Sequence, residues 1–226
     1  MPTMVDTPKA RRREARAASR AEKSGSGPVG SDWQPRVNPG AGSAFGLFAE
    51  VLLTGLLITV AGILIVTLPA ALAAGMRHLR RFVSAEDSRM ALFWSDLRQG
   101  VVPGLPYGLG AGVLGAVLLL DIDLARSGAL PGGGVVQAIG WIGLVALCVA
   151  LLIAASAWTP EVGWREAFRS VPSFVKGDLA GTGYVVATVG FLIVITWALT
   201  PLLIPGLGCA ALAVVAIPGR PRKSED

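Results

Sequence analysis

Apolar positions along this 226-residue chain gather into long unbroken runs, with little of the strict alternation expected of half-buried strands. A helix that crosses a bilayer needs about 20 mostly apolar residues. Four stretches meet that length: Phe45 to Ala74, Gly104 to Ile122, Val135 to Trp158, and Gly183 to Ile217. The last carries Pro201 and Pro205 near its middle. Proline inside a helix removes a backbone hydrogen bond and clashes with the preceding turn, so this run reads as two short helices folded back at a break. The pattern predicts an all-α, polytopic transmembrane bundle over residues 44–218, with about five spans and four as the alternative.

Two connectors have a helical period of their own. After Ser84, with Asp87 three residues on as a capping-box start, Met90, Phe93, Trp94 and Leu97 recur at helical spacing. That is an amphipathic helix. In the second connector Thr159 caps, Pro160 opens the helix, Trp164, Phe168 and Val171 form the stripe, and Pro172 ends it. The order span, amphipathic helix, Pro, Gly, span thus appears twice, which points to an internal duplication. Residues 1–43, rich in Arg, Ala, Ser, Gly and Pro, have little to bury and are expected to be a disordered basic tail. Residues 219–226 form a short basic C-terminal tail.

Composition agrees with a bilayer. Charged residues make up 15% of the chain and hydrophobic ones 53%, against about a quarter charged in soluble domains. The net charge of +5 would suit nucleic acid if it were spread over a folded domain. Instead it sits in the tails and connectors, which argues against nucleic-acid binding and for positive residues on the inner face. Arg77, Arg80 and Arg81 follow directly on the first apolar run and are expected at the membrane interface, together with Trp94, Trp158 and Trp164. Pro69, one turn before that run ends, marks a bend in the helix. On the five-span reading the amphipathic connectors and the C-terminus share the cytoplasmic side, which leaves the basic N-terminal tail opposite. The four-span reading puts both tails opposite the connectors.

Candidate chemistry is sparse. "GAGVLG", Gly110 to Gly115, matches the dinucleotide-binding spacing, but it lies inside an apolar run with Asp121 and Asp123 too close behind it. No cofactor or metal is therefore expected. Gly104, Gly108 and Gly112 fall on one helix face and form a helix-packing stripe. Glu50, Asp121 and Asp123 lie near run ends where a carboxylate reaches water, and His78 reads as a headgroup-level residue. Cys148 and Cys209 read as small packing residues. No catalytic residues are expected.

The stretch "FGLFAEVLLTGLLITVAGILIVTLPAALAAGMRHLRRF", continued through "MALFWSDLRQGVVPGLPYGLGAG", resembles the YesL-like bacterial membrane proteins (domain of unknown function 624) over residues 45 to 200. Pro69-Ala70-Ala71 stands where that family has Pro-Ala-Thr, so the hydroxyl is missing. Members tend to be encoded beside carbohydrate uptake systems of the ABC type. The resemblance implies a non-enzymatic accessory or assembly partner of such a system in the bacterial cytoplasmic membrane, in contact with permease subunits. The alternative is a small-solute transporter or channel in its own right.

Overall fold

The computed structural model describes residues 42–127 and 132–219. Nearly all of both expected tails, and part of the "DIDLARSGALPGGG" connector, lie outside them. The described residues are helical throughout: α1 (Ala44–Ala61), α2 (Leu68–Val83), α3 (Met90–Arg126), α4 (Gly133–Ala157), α5 (Gly163–Gly177), α6 (Leu179–Ala198) and α7 (Leu203–Ala216). Four of them, α1, α3, α4 and α6, are long and apolar enough to cross a membrane. Large apolar side chains such as Phe45, Ile63, Leu120, Ile142 and Trp197 point outward. In water so much exposed apolar surface would drive association; in lipid it is the solvated surface. The protein is a multi-pass helical membrane protein.

The first apolar run is two elements rather than one bent span. The helix stops at Gly62, a short 3-10 turn spans Ile65–Thr67, and α2 starts at Leu68 with Pro69 in its first turn. Proline is well placed there, since the first N–H groups of a helix have no partner within it. The Thr67 hydroxyl donates to the carbonyl oxygens of Ala61 (2.6 Å) or Leu64 (2.8 Å), which ties the turn. Pro69 therefore opens the second helix instead of bending the first. α2 folds back along α1: a Cβ on Gly62 would meet Leu68, and one on Gly75 would meet Ile58 and Thr54.

The first connector also differs from its expected form. Ser84 ends α2, with its N–H donating to the Arg80 carbonyl at 3.0 Å, and Ala85 turns the chain with φ of 57°. Asp87 accepts from the Arg89 backbone N–H and side chain, which holds its carboxyl below the usual range. The helix that begins at Met90 then runs unbroken through Pro103 and Pro106 to Arg126. Connector and span are one helix. The second connector does form a separate helix, α5, but it starts at Gly163, contains Pro172, and ends at Gly177. Thr159 Oγ1 accepts from the Val162 N–H in the turn before it. Asp178 then caps α6 by accepting from the Gly181 N–H at 2.8 Å. The two supposed repeats are built differently.

The run from Gly183 folds back as expected. A 3-10 turn at Thr200–Leu202 holds Pro201, and Pro205 lies in the first turn of α7. Neighbouring helices alternate in direction. Gly140 packs on Ile122 and Gly133 on Ala125 between α3 and α4, while Gly206 packs on Ile195 between α6 and α7. α7 also lies antiparallel to α1, with Gly208 against Val51 and Gly55 against Ile204. The start of α1, the end of α2, the first turns of α3, the end of α4 and the end of α7 consequently meet at one end of the bundle.

Candidate functional site

Helix α2 is the hub of that end. Ten of its sixteen residues are buried, although it is less apolar than α1, α3, α4, α6 or α7. Its first half, Leu68 to Met76, is mostly Ala and Gly, and the small side chains let α1, α3 and α4 approach it closely. Its second half bears Arg77, His78, Arg80 and Arg81 into the junction of five helices.

Arg77 and Arg81 are one turn apart, so both point to the same side. There they meet Asp96 of α3: Arg77 Nε lies 3.2 Å and Arg81 Nη1 2.7 Å from Asp96 Oδ2. Asp96 is only 4% exposed. A buried carboxylate flanked by two guanidinium groups is compensated, whereas alone it would be expensive to keep charged. The Arg77 guanidinium also lies 5.9 Å from the centre of the Trp158 ring, within the range of a cation–π contact. Arg80 points elsewhere and donates to the Ser156 carbonyl of α4 at 3.1 Å.

On the neighbouring side of α2, His78 is 1% exposed. Its Nε2 is hydrogen-bonded to Oε1 of Glu50 on α1 at 2.5 Å. The ring edge meets Phe93 of α3. Nδ1 of His78 and Oγ1 of Thr54, one turn along α1 from Glu50, are both buried without a hydrogen-bond partner among the described residues. Neither group is at a headgroup level in the sense of a free side chain. Glu50 and His78 join two helices inside the protein.

An aromatic layer closes the end. Trp158 and Trp164, each 2% exposed, stack with ring centres 5.5 Å apart. The Trp164 Nε1–H donates to the Gly100 carbonyl at 2.9 Å. Tyr107 stacks on Phe168 at 4.9 Å. Trp158 and Trp164 were expected as lipid anchors; their rings are instead buried in the protein, because α5 folds its apolar stripe back onto α3 and α4. Trp94 is the one of the three that reaches the surface, edge-on to Phe93.

The glycine stripe of α3 divides into two kinds of position. A Cβ on Gly104 would press on the Trp164 ring, and one on Gly108 would run into the Val66 carbonyl oxygen of the turn before α2. Gly112 is roomier, with Ile65 Cγ2 at 3.6 Å. Asp96, Gly100, Gly104 and Gly108 share one buried face at four-residue spacing. Continuing the stripe back by two turns from Gly104 reaches the buried carboxylate of Asp96. Asp121 and Asp123 are exposed at the other end of α3, and Gly110 to Gly115 are helical within it. Among the described residues no cluster of three metal-ligating side chains occurs.

Comparison with family models, with curated proteins and with solved structures returns no match to this chain.

Proposed function

We propose that the chain is a non-enzymatic accessory or assembly partner of a membrane complex, crossing a bacterial cytoplasmic membrane six times. The six crossings are the four long helices with α2 and α7. Helix α2 needs no lipid-matched length or surface of its own, since protein surrounds it. This count puts the first residues of α1 and the last of α7 at the end that carries the connectors. Every described cation except Arg126 belongs to that end, and both basic tails attach there. Positive residues then gather on the cytoplasmic side, and the tail that five spans stranded outside is no longer translocated. Single-cysteine labelling at Arg126 and at Arg169 in intact cells tests this: the first is expected to react with an impermeant reagent and the second to be protected.

The observation that carries the accessory reading is a cleft of about 510 Å³ between α6 and α7, open towards lipid, with six small residues, among them Ala187, Cys209 and Ala213, in a lining that Tyr184, Phe191 and Ile217 complete. Small residues are what helix interfaces in membranes use, because close approach maximises dispersion where lipid supplies no hydrophobic drive. Identification of the partner as a permease of a carbohydrate uptake system rests on the YesL-like sequence resemblance. In-cell crosslinking from Cys209 is expected to capture a permease subunit, and Ala213→Leu to abolish that capture while the protein still inserts. Crosslinked material consisting only of uncoupled monomer would overturn the reading.

The buried Glu50–His78 pair supports a second reading as a small-solute transporter, since ionisable groups inside membrane proteins commonly mark transport paths. Flux into proteoliposomes of the pure protein that Glu50→Gln removes would favour it over the first.

A further inference from the structure

One cleft has a cation on its wall. Bounded by the start of α1, the end of α2 and the end of α7, it encloses about 410 Å³ and is lined by Leu47, Arg80, Ser84, Leu212, Val215 and Gly219, among others. Arg77 and Arg81 on the same helix share the Asp96 carboxylate, but Arg80 has no carboxylate partner among the described residues. The charged group that acts on it is another cation, Arg77. A guanidinium has five N–H donors in a planar fork that matches phosphate oxygens. One hydrogen bond, to the Ser156 carbonyl, occupies only part of that capacity. The Ser84 hydroxyl on the same wall has no hydrogen-bond partner among the described residues either. The remaining wall, Leu47, Leu212 and Val215, is apolar.

We propose that this cleft is a binding site for one anionic phospholipid, its phosphate held by Arg80 and Ser84 and an acyl chain lying along Leu47, Leu212 and Val215. An uncompensated cation beside an apolar wall is complementary to a molecule that joins a phosphate to a hydrocarbon chain. A zwitterionic lipid offers the chain but brings its own cation, which Arg80 repels. The site requires only that the protein sit in a bilayer, and it is independent of any partner protein.

Native mass spectrometry of the full chain in mild detergent, with equal amounts of phosphatidylglycerol and phosphatidylcholine, tests the site. The expected result is a one-lipid adduct that favours phosphatidylglycerol. Arg80→Gln is expected to lower its retention about fivefold, the worth of one interfacial cation. Arg80→Lys should keep most of the preference, and Arg165→Gln on the exposed face of α5 should change nothing. Leu212→Trp, which fills the apolar part and leaves the cation in place, is expected to reduce retention as well, and it carries the test should Arg80→Gln fail to fold. Equal retention of the two lipids, no effect of a folded Arg80→Gln, or displacement of the lipid by millimolar inorganic phosphate would each overturn the proposal.

Discussion

The charged end of the bundle and the crossing of α1 with α7 hold helices together in opposite ways. At the charged end, side chains reach across gaps: Arg77 and Arg81 to Asp96, His78 to Glu50, Trp164 to the Gly100 carbonyl. At the crossing no side chain intervenes. Gly55 faces the Ile204 carbonyl and Gly208 the Val51 carbonyl, so two backbones touch. Lipid tails are as apolar as leucine, and burying one helix face against another gains little from the hydrophobic effect there. Two sources of cohesion remain, polar pairing and close dispersion contact, and the protein uses each in a different place. The first depends on charge and the second on volume.

Removing charge where charge does the holding should have the largest effect. Asp96→Ala leaves two guanidinium groups without their shared carboxylate. Breaking a buried pair from one side costs about 3–5 kcal/mol, which for a chain of this size lowers Tm by on the order of 10 °C. Melting in mild detergent, followed by circular dichroism, reads this out. Asp96→Leu combined with Arg77→Leu and Arg81→Leu is expected to recover most of the loss, since replacing all partners removes the unpaired charges. Equal damage from the single and the triple change would mean that packing, not charge, holds this end.

Volume should matter next, at the crossing. Gly208→Ala adds one methyl group where the Val51 carbonyl leaves no room, so the helices must separate. Overpacking of this kind costs about 1–3 kcal/mol, and because the neighbour is backbone the upper part of that range is expected. Gly108→Ala, against the Val66 carbonyl, belongs to the same class. Salt separates the two regions further. Raising ionic strength in the melting assay should weaken the partly exposed Arg77 and Arg81 contacts, and leave the deficit of Gly208→Ala unchanged.

A smaller loss is expected at the Glu50–His78 contact. Glu50→Gln keeps the shape and a hydrogen-bonding oxygen but removes the carboxylate, so the change is that of one hydrogen bond, about 0.5–1.5 kcal/mol. Tm should fall by a few degrees. A loss as large as that of Asp96→Ala would show instead that His78 needs the negative charge beside it.

How much of this was legible in the sequence follows from what each pattern measures. Run length reports lipid-matched helices, so α3, α4 and α6 were visible, and Pro201 with Pro205 located the break before α7. Run length cannot see a turn made of apolar residues. Gly62 to Thr67 is as oily as the helices beside it, and α1 and α2 fused into one expected span. On the six-crossing count proposed above, that single fusion is what set the N-terminal tail opposite the connectors. The amphipathic period picked out Phe93, Leu97 and Trp164, which are buried, together with Met90 and Trp94, which are exposed, and it missed the helix ends, because Pro103 and Pro172 sit inside helices that neighbouring helices support. Trp158 and Trp164 have the composition of interfacial anchors, yet tryptophan also fills cores, and only tertiary packing decides between these. Polar pairs across helices leave no one-dimensional trace: Glu50 and His78 are 28 residues apart, and each taken alone looks like a residue at a membrane surface.

The smallest effect tests the glycine stripe itself. Gly108 and Gly112 occupy the same face of α3, one turn apart, and spacing assigns them the same role. Their surroundings differ, because the turn before α2 touches only the first, while a Cβ on Gly112 would find Ile65 Cγ2 at an ordinary 3.6 Å. Alanine is more favourable than glycine in a helix interior by up to about 1 kcal/mol. Gly112→Ala should therefore be neutral or raise Tm by a few degrees, whereas Gly108→Ala should lower it. Opposite signs from one chemical change at adjacent turns would show that backbone contact, and not the small-residue pattern, defines the packing face. A matching loss at Gly112 would mean that something packs there beyond this chain, and the stripe would then belong to a partner helix.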